Sequence, residues 1–431
     1  MFKHRPLATG RDQIRLIRFL SYSKTLEFEV SSFDLNHHLP DFHALSYMWG
    51  PEQPSHSIQL NGQRFVIRGN LYTFFQTLLP TYFGTEVFLW IDQICIDQTS
   101  IPERNSQVAM MAEIYGRAGH VILWLNPGQS NSGPLELDEV MNCVQSMCKI
   151  TDIPVRSLSR KDKEVVATTI LSNLYWTRVW IVQEVLLARN IDIFFGHYHL
   201  SWESIDAICD LYLVPGLAAA SAAALRTILH EKRKGRLSLS DLLWDFRNNE
   251  CENPRDKVFG FLGILPQWQV SVTADVVSPR TPTLSSGIIV DYAKPVNAVL
   301  LEAVPIITAE TINAYPPQTP RQRVLAILRA TENAFYLCRA MIPNLFALDD
   351  FVTSIRVTYV SNLEKLLQLH HNVSLAILEG KEGQWVVGQI KEVIEDPLSF
   401  GKRVRLLESD KPEVHKEIIK AEFARLQRLL A

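Results

Sequence analysis

The stretch Glu86–Leu125, EVFLWIDQICIDQTSIPERNSQVAMMAEIYGRAGHVILWL, most constrains the fold. Val87–Ile91 is an apolar run short enough for a buried strand, and Asp92 ends it. A polar loop with Cys95, Asp97 and Gln98 follows. Ser100–Ile101–Pro102–Glu103 then has the form of a capping box, with Ser at the N-cap and Pro in the first turn. Val108, Met111, Ala112, Tyr115 and Ala118 recur at helical spacing. Gly119 closes that helix, and His120–Leu125 is a second buried strand. Strand, loop, helix and strand make a βαβ unit. Its loop lies at the carboxyl end of the first strand, where open α/β sheets bind ligands.

One residue of this helix is out of place. At about 100° per residue, Arg104 falls between Met111 and Tyr115 on the apolar face. A guanidinium there calls for a carboxylate, because an unpaired buried charge is costly. Asp92 and Asp97 are the nearest in sequence. The pair either holds the loop or frames a ligand site.

The flanking segments extend the same pattern. Ile14–Phe19 and Leu26–Val30 alternate like half-buried strands. Phe42–Tyr47 is the next strand. It carries Ser46 and ends at Trp49–Gly50, which reads either as a hydroxyl and stacking face offered to a ligand or as a packed corner. Ile58–Leu60, Asn61–Gly62 and Phe65–Ile67 form a hairpin with a type I′ turn. Asn70 caps a helix over Leu71–Leu79. Tyr175–Ala188, YWTRVWIVQEVLLA, is apolar almost all round and reads as one buried helix. Glu184 inside it is a candidate acid/base or substrate-orienting group, or the partner of Arg178. Ile191–Phe195 is a further strand. The alternation predicts an α/β fold with a largely parallel sheet and flanking helices, preceded by N-terminal strands.

Beyond Trp202 the chain reads as helical at 204–213, 218–234, 239–246 and 256–265, with a further helix opening at Asp291–Tyr292. Ser271–Gly287 is loop-like and Ala314–Pro320 is a Pro-rich linker. A mainly helical C-terminal region follows, interrupted by a hairpin-like pair around Gly380 and Gly383.

Composition limits the functional classes. Of 431 residues, 47% are hydrophobic and 21% charged, with net charge −3. That balance gives no pull toward nucleic acid or anionic membrane. The most apolar long run, Leu211–Leu225, is too short and too interrupted to span a bilayer. The six cysteines are scattered without a CxxC pair, which indicates neither a metal site nor a disulfide framework and fits a reducing, cytoplasmic setting. No dinucleotide, phosphate-loop, zinc-protease or hydrolase motif occurs.

These segments together resemble the fungal heterokaryon-incompatibility (HET) domain family. The resemblance is carried, in order, by IRLIRFL, FHALSYMWG, GNL, LWIDQICIDQ, ERNSQVAMMAEIY, AGHVILWL, YWTRVWIVQEVLLA and NPRDKVFGFLG, and continues at Asp291–Tyr292. CIDQ stands where many members read CINQ, and Leu125–Asn126 where many read WLG. The resemblance implies a HET domain over 6–203, a helical extension over 204–313, and a region of unassigned role at 321–431. It implies nonself recognition ending in cell death. It also implies a more distant likeness to TIR domains, hence a TIR-like or flavodoxin-like sheet. In that likeness WTRVWIVQE resembles the TIR segment whose glutamate is catalytic in enzymes that cleave NAD, which falls on Glu184. Asp92, Asp97, Trp49, Ser46, Arg104 and Trp180 would then shape the substrate site. No cofactor is implied, with NAD a candidate substrate. The alternative is a non-catalytic module acting by self-association or by binding a partner protein.

Overall fold

The computed structural model describes residues 1–8, 12–22, 25–82, 86–129, 160–203, 205–206, 216–232, 238–265 and 288–296, with scattered positions to 310. Most of the helix expected at 204–213, the loop at 271–287, the linker and the C-terminal region lie outside the described residues. The chain divides into two compact units. The first comprises Met1–Leu237, Asp241–Ser285 and Ile289–Ala293; the second comprises Ser238–Ser240, Ser286–Ile288 and the chain from Lys294. The candidate site belongs wholly to the first unit.

Among the described residues, nine strands form one sheet. They are β1 (Gln13–Tyr22), β2 (Leu26–Asp34), β3 (Phe42–Tyr47), β4 (Ser55–Leu60), β5 (Gln63–Arg68), β6 (Phe88–Trp90), β7 (His120–Leu125), β8 (Ile191–Phe195) and β9 (Tyr198–Leu200). The helices are α1 (Gly69–Tyr82), α2 (Asp92–Cys95), α3 (Ile101–Arg117), α4 (Arg160–Leu171), α5 (Ile181–Leu187), α6 (Leu217–Lys232), α7 (Leu239–Asp245) and α8 (Asp256–Leu262). The sheet order is β5-β4-β2-β1-β6-β3-β7-β8-β9. None of the described helices is long and apolar enough to cross a membrane.

The sheet is mixed rather than largely parallel. Only β6, β3, β7 and β8 run parallel as a block, with β2 and β4 a further parallel pair. Hairpins account for the antiparallel share: β1–β2, β4–β5 and β8–β9, together with the β1–β6 pairing. The β4–β5 turn is as expected, with Asn61 at φ 48° and Gly62 at φ 74°, the left-handed pair a type I′ turn requires. In the parallel block β3 and β7 are buried almost throughout. That explains their continuous apolar runs, because strands covered on both faces do not alternate.

Strand β3 is the switch point. The chain leaves it to build β6 on one side, then crosses over through α3 to build β7 on the other. Diverging connections open a crevice at the carboxyl ends of these strands. Trp49 follows β3, Asp92 follows β6 and Asn126 follows β7, so all three arrive at that edge.

Helix α3 starts as its sequence dictates. Ser100 is the N-cap, its hydroxyl accepting from the Glu103 N–H at 3.4 Å. The reciprocal half of the box is not made. Glu103 instead takes the Asp97 N–H at 2.7 Å and binds Arg15 of β1 with both oxygens, at 2.5 and 2.9 Å. Arg15 is 2% exposed and also donates to the Cys95 carbonyl at 2.9 Å. One buried ion pair thus ties the loop, α3 and β1 together.

Three further expectations are corrected. Asn70 does not cap α1; it lies inside the first turn. Its Oδ1 accepts from Trp124 Nε1 at 3.0 Å and from Asn126 Nδ2 at 2.8 Å, while its Nδ2 donates to the Met48 carbonyl. It therefore braces the chain leading to Trp49. Nor is 175–188 one helix. Leu174–Thr177 is a 3₁₀ turn, Arg178 is extended (φ −74°, ψ 140°), and α5 starts only at Ile181. A distant strap causes the break. Glu250 N donates to the Thr177 carbonyl at 2.6 Å, Val179 N donates to the Glu250 carbonyl at 3.0 Å, and Asn249 holds the Trp176 and Arg178 carbonyls. The helix expected from Asp291–Tyr292 starts late: those two residues precede it in a turn region, and the described helical positions begin at 296.

Candidate functional site

A cleft of about 700 Å³ opens at the carboxyl edge of the parallel strands. Trp49, Asp92, Arg104 and Trp180 line it, as do Arg178, Asp256 and Tyr292. Sequence reasoning therefore placed four of its site residues together. The other three lie apart from the lining. Ser46 is buried behind it. Glu184 is 1% exposed and also stands behind it. Asp97 turns its carboxylate to Thr99, accepting from N at 3.0 Å and Oγ1 at 2.7 Å. Those bonds hold Asp97 below the usual carboxylate range, outweighing the effect of burial.

The break in the 174–187 segment aims Arg178 into the cleft. Its guanidinium grips Glu184 with two parallel bonds, NH1 to Oε2 at 3.0 Å and NH2 to Oε1 at 3.1 Å. The Ser46 hydroxyl also donates to Glu184 Oε2 and shares a 2.6 Å hydrogen bond with the Tyr175 phenol. Burial alone would lower the Arg178 pKa, but Glu184 and Tyr175 carry it above the ordinary arginine value. Burial, reinforced by Glu184, pushes the Tyr175 phenol up. Arg178 therefore stays charged and Tyr175 stays neutral. The glutamate meets the cleft only through its arginine.

Asp92 is the carboxylate that reaches the cleft directly from the sheet. It accepts from Trp49 Nε1 at 2.8 Å, which fixes the indole as one wall. Arg68 lies over that indole at 4.9 Å and donates to the Gly50 carbonyl at 2.7 Å. Gly50 has φ 73°, so a side chain there would be strained. The Trp–Gly cluster is thus a packed corner whose Trp also lines the cleft. Burial raises Asp92 to about 6, with Arg178 opposing and Glu184 adding to the rise.

The second wall was not foreseen. Asp256, 7% exposed at the start of α8, accepts from Trp180 Nε1 at 3.1 Å and from the Tyr292 hydroxyl at 2.6 Å. Burial raises it too, to about 6, with Tyr292, Trp180 and Arg104 opposing. The sequence signal was available: Asp256 and Tyr292 sit in NPRDKVFGFLG and the Asp–Tyr pair, segments read only as part of the resemblance.

Arg104 does not pair with Asp92 or Asp97. Its guanidinium lies over the Tyr292 ring, 4.2 Å from the centroid. The neighbouring Asn105 fixes that arrangement, donating to Asp291 Oδ1 at 3.1 Å and accepting the Tyr292 N–H at 3.0 Å. The aromatic face takes the place expected of a carboxylate.

Cys95 and Cys251 are free thiols. Burial pushes both up to about 12, so neither is a thiolate nucleophile near neutrality.

The raised Asp92 has a measurable consequence. Its folded-state pKa lies above its unfolded value, so the unfolded chain releases this proton first. Wild-type stability then declines, through this group, as pH rises from about 4 to about 6. Asp92→Asn keeps an acceptor for Trp49 and loses that slope. At pH 7.5 the variant should be about 1–2 kcal/mol more stable than wild type, discounting for partial exposure. At pH 4 the two should be equal. Urea midpoints at both pH values test this, and a gap of the same size at each would refute the assignment.

Residues 42–184 match the family model described as heterokaryon incompatibility protein (HET). Among characterised proteins the chain is similar to heterokaryon incompatibility protein 6, OR allele, of Neurospora crassa, at 28% identity over 211 residues. That alignment covers 40% of this chain and 31% of that protein. No solved structure matches. The matched segment holds β3 through Glu184, whereas β1, β2, β8 and β9, which complete the sheet, and Asp256 and Tyr292, which complete the cleft, lie outside it. Residues 42–184 of this chain thus carry the match to the heterokaryon-incompatibility (HET) domain, and the chain spans about a third of the length of the relative it matches.

Proposed function

We propose that this protein acts in nonself incompatibility and induces cell death by hydrolysing the glycosidic bond of a nucleotide of the NAD class in the cleft. The observation that supports this most is the arrangement around Arg178. A buried glutamate is held under a cleft-lining arginine, beside a second carboxylate and three aromatic walls.

The chemistry fits such a site. Water adds to the ribose C1′ as the C–N bond breaks, and the bond's electron pair goes to the nicotinamide nitrogen. The pyridinium leaves neutral, so no general acid is needed, and the water's proton is released to solvent. The transition state resembles an oxocarbenium ion, which an ionised carboxylate stabilises. Asp92 supplies that charge from the cleft wall. An anionic group of the ligand can draw Arg178 off Glu184, freeing the Glu184 carboxylate for the ribose. Trp49 and Trp180 offer flat faces for the rings. The mapping of Glu184 onto the TIR glutamate, and a TIR-like reading of the parallel block, belong to this proposal.

A second reading has its own support. The doubly bonded Arg178–Glu184 pair is also what a purely structural pair looks like. The domain would then signal by self-association or by binding a partner protein. Expression of the full chain in fungal cells separates the two. The hydrolase reading expects death with falling cellular NAD from wild type, and neither from Asp92→Asn. Death of equal extent from both proteins, with NAD unchanged, would favour the interaction module.

A further inference from the structure

We infer that Arg104 is an anion anchor of the cleft, already set before the ligand arrives and positioned to take one phosphate group of it, whereas Arg178 is held by Glu184 until a ligand displaces it. This rests on the cleft being the ligand site, as proposed above, but not on any bond being cleaved there.

Arg104 lacks the partners that a sheltered guanidinium usually has. Its Nε is buried without a hydrogen-bond partner. No carboxylate among the described residues makes an ion pair with it, although Asp256 is close enough to feel its charge. The Tyr292 ring lies between them in function: one face receives the guanidinium at 4.2 Å, and the hydroxyl is spent on Asp256 at 2.6 Å. The other Asp256 oxygen is taken by Trp180. The carboxylate that could have quenched Arg104 is therefore occupied by two neutral donors.

The other cleft arginine is different. Arg178 is neutralised by Glu184 through two bonds. Arg104 keeps a planar fork of donors in a sheltered, aromatic-walled space. Guanidinium groups so placed bind phosphate in bidentate fashion, and exclusion of water strengthens the contact. The cost of holding an unquenched charge beside the apolar Val108 and Met111 is consistent with a ligand that completes it. The stack on Tyr292, set by Asn105 and Asp291, fixes the direction of the fork before the ligand arrives.

The test uses the full chain with ADP-ribose and inorganic pyrophosphate as probes, followed by tryptophan fluorescence and calorimetry. Wild type should bind ADP-ribose, and pyrophosphate should compete. Arg104→Gln should weaken ADP-ribose binding about tenfold or more, as losing a charge-assisted hydrogen bond does. Arg104→Lys should fall between, because charge survives while the fork is lost. Unchanged melting of both variants would show that the loss is local. Equal affinity of wild type and Arg104→Gln would overturn the inference, as would failure of wild type to bind either probe. Arg104-dependent binding without NAD cleavage would leave the anchor standing and sink the hydrolase. Cleavage at low NAD concentration that Arg104→Gln matches would do the reverse.

Discussion

Arg178→Met should destabilise the domain by about 3–5 kcal/mol, the range seen when one partner of a buried ion pair is removed. Glu184 is 1% exposed, and its partner's side chain only 13%. Without the guanidinium, the buried Glu184 would keep, among the described side chains, the Ser46 hydroxyl as its remaining donor. A companion variant, Arg178→Met with Glu184→Gln, should recover much of the loss at neutral pH, since replacing both charges leaves nothing uncompensated. Urea unfolding of the three proteins decides it. A single variant within about 1 kcal/mol of wild type would mean that the pair is solvated and the cleft wetter than described.

The second large effect concerns the seam between α3, α5 and α8. A Cβ at Gly263 would lie 2.6 Å from the Ala112 Cβ and 3.1 Å from the Gln183 side chain. One at Gly260 would lie 2.7 Å from Val179 Cγ1. The φ at Gly263 is −67°, so the cost there is purely steric. Gly263→Ala should cost about 1–3 kcal/mol, as overpacking does. Ala112→Gly added to it should return part of the loss, beyond what additivity of the singles allows. Gly116 is the contrast. It is helical with nothing within 4 Å of its added Cβ, so Gly116→Ala should stabilise by about 0.5–1 kcal/mol. Equal behaviour of Gly263→Ala and Gly116→Ala would contradict the packing described. The seam matters to function because α8 carries Asp256 at its first turn.

What the chain revealed in advance was local. The bounds of β3 and β7, the Asn61–Gly62 turn and the Ser100 cap each follow from a few adjacent residues. What stayed hidden depends on residues far apart. YWTRVWIVQEVLLA reads as a buried helix because apolar composition cannot distinguish a helix from a 3₁₀ turn, an extended residue and a short helix. Only the strap at Asn249–Glu250, about seventy residues on, decides it. Strand direction was hidden in the same way, since neither the alternation of β1 nor the apolar run of β6 says which way its neighbour runs. Arg104 stood out by its face of the helix, but the carboxylate expected beside it is replaced by an aromatic ring far along the chain. Asp256 was passed over because an acid at a helix start is ordinary; its burial and its two aromatic donors make it otherwise.

The most direct measurement is nicotinamide release from NAD by the purified full chain, followed with pH. The account predicts release by wild type that falls as pH drops through about 6, the value to which burial raises Asp92. Asp92→Asn should lower it about a hundredfold or more, as removal of one transition-state stabiliser does. Glu184→Gln, if folded, should also lose activity. No release by folded wild type at high concentration, or release unchanged in Asp92→Asn, would contradict the assignment of this cleft as a hydrolytic site.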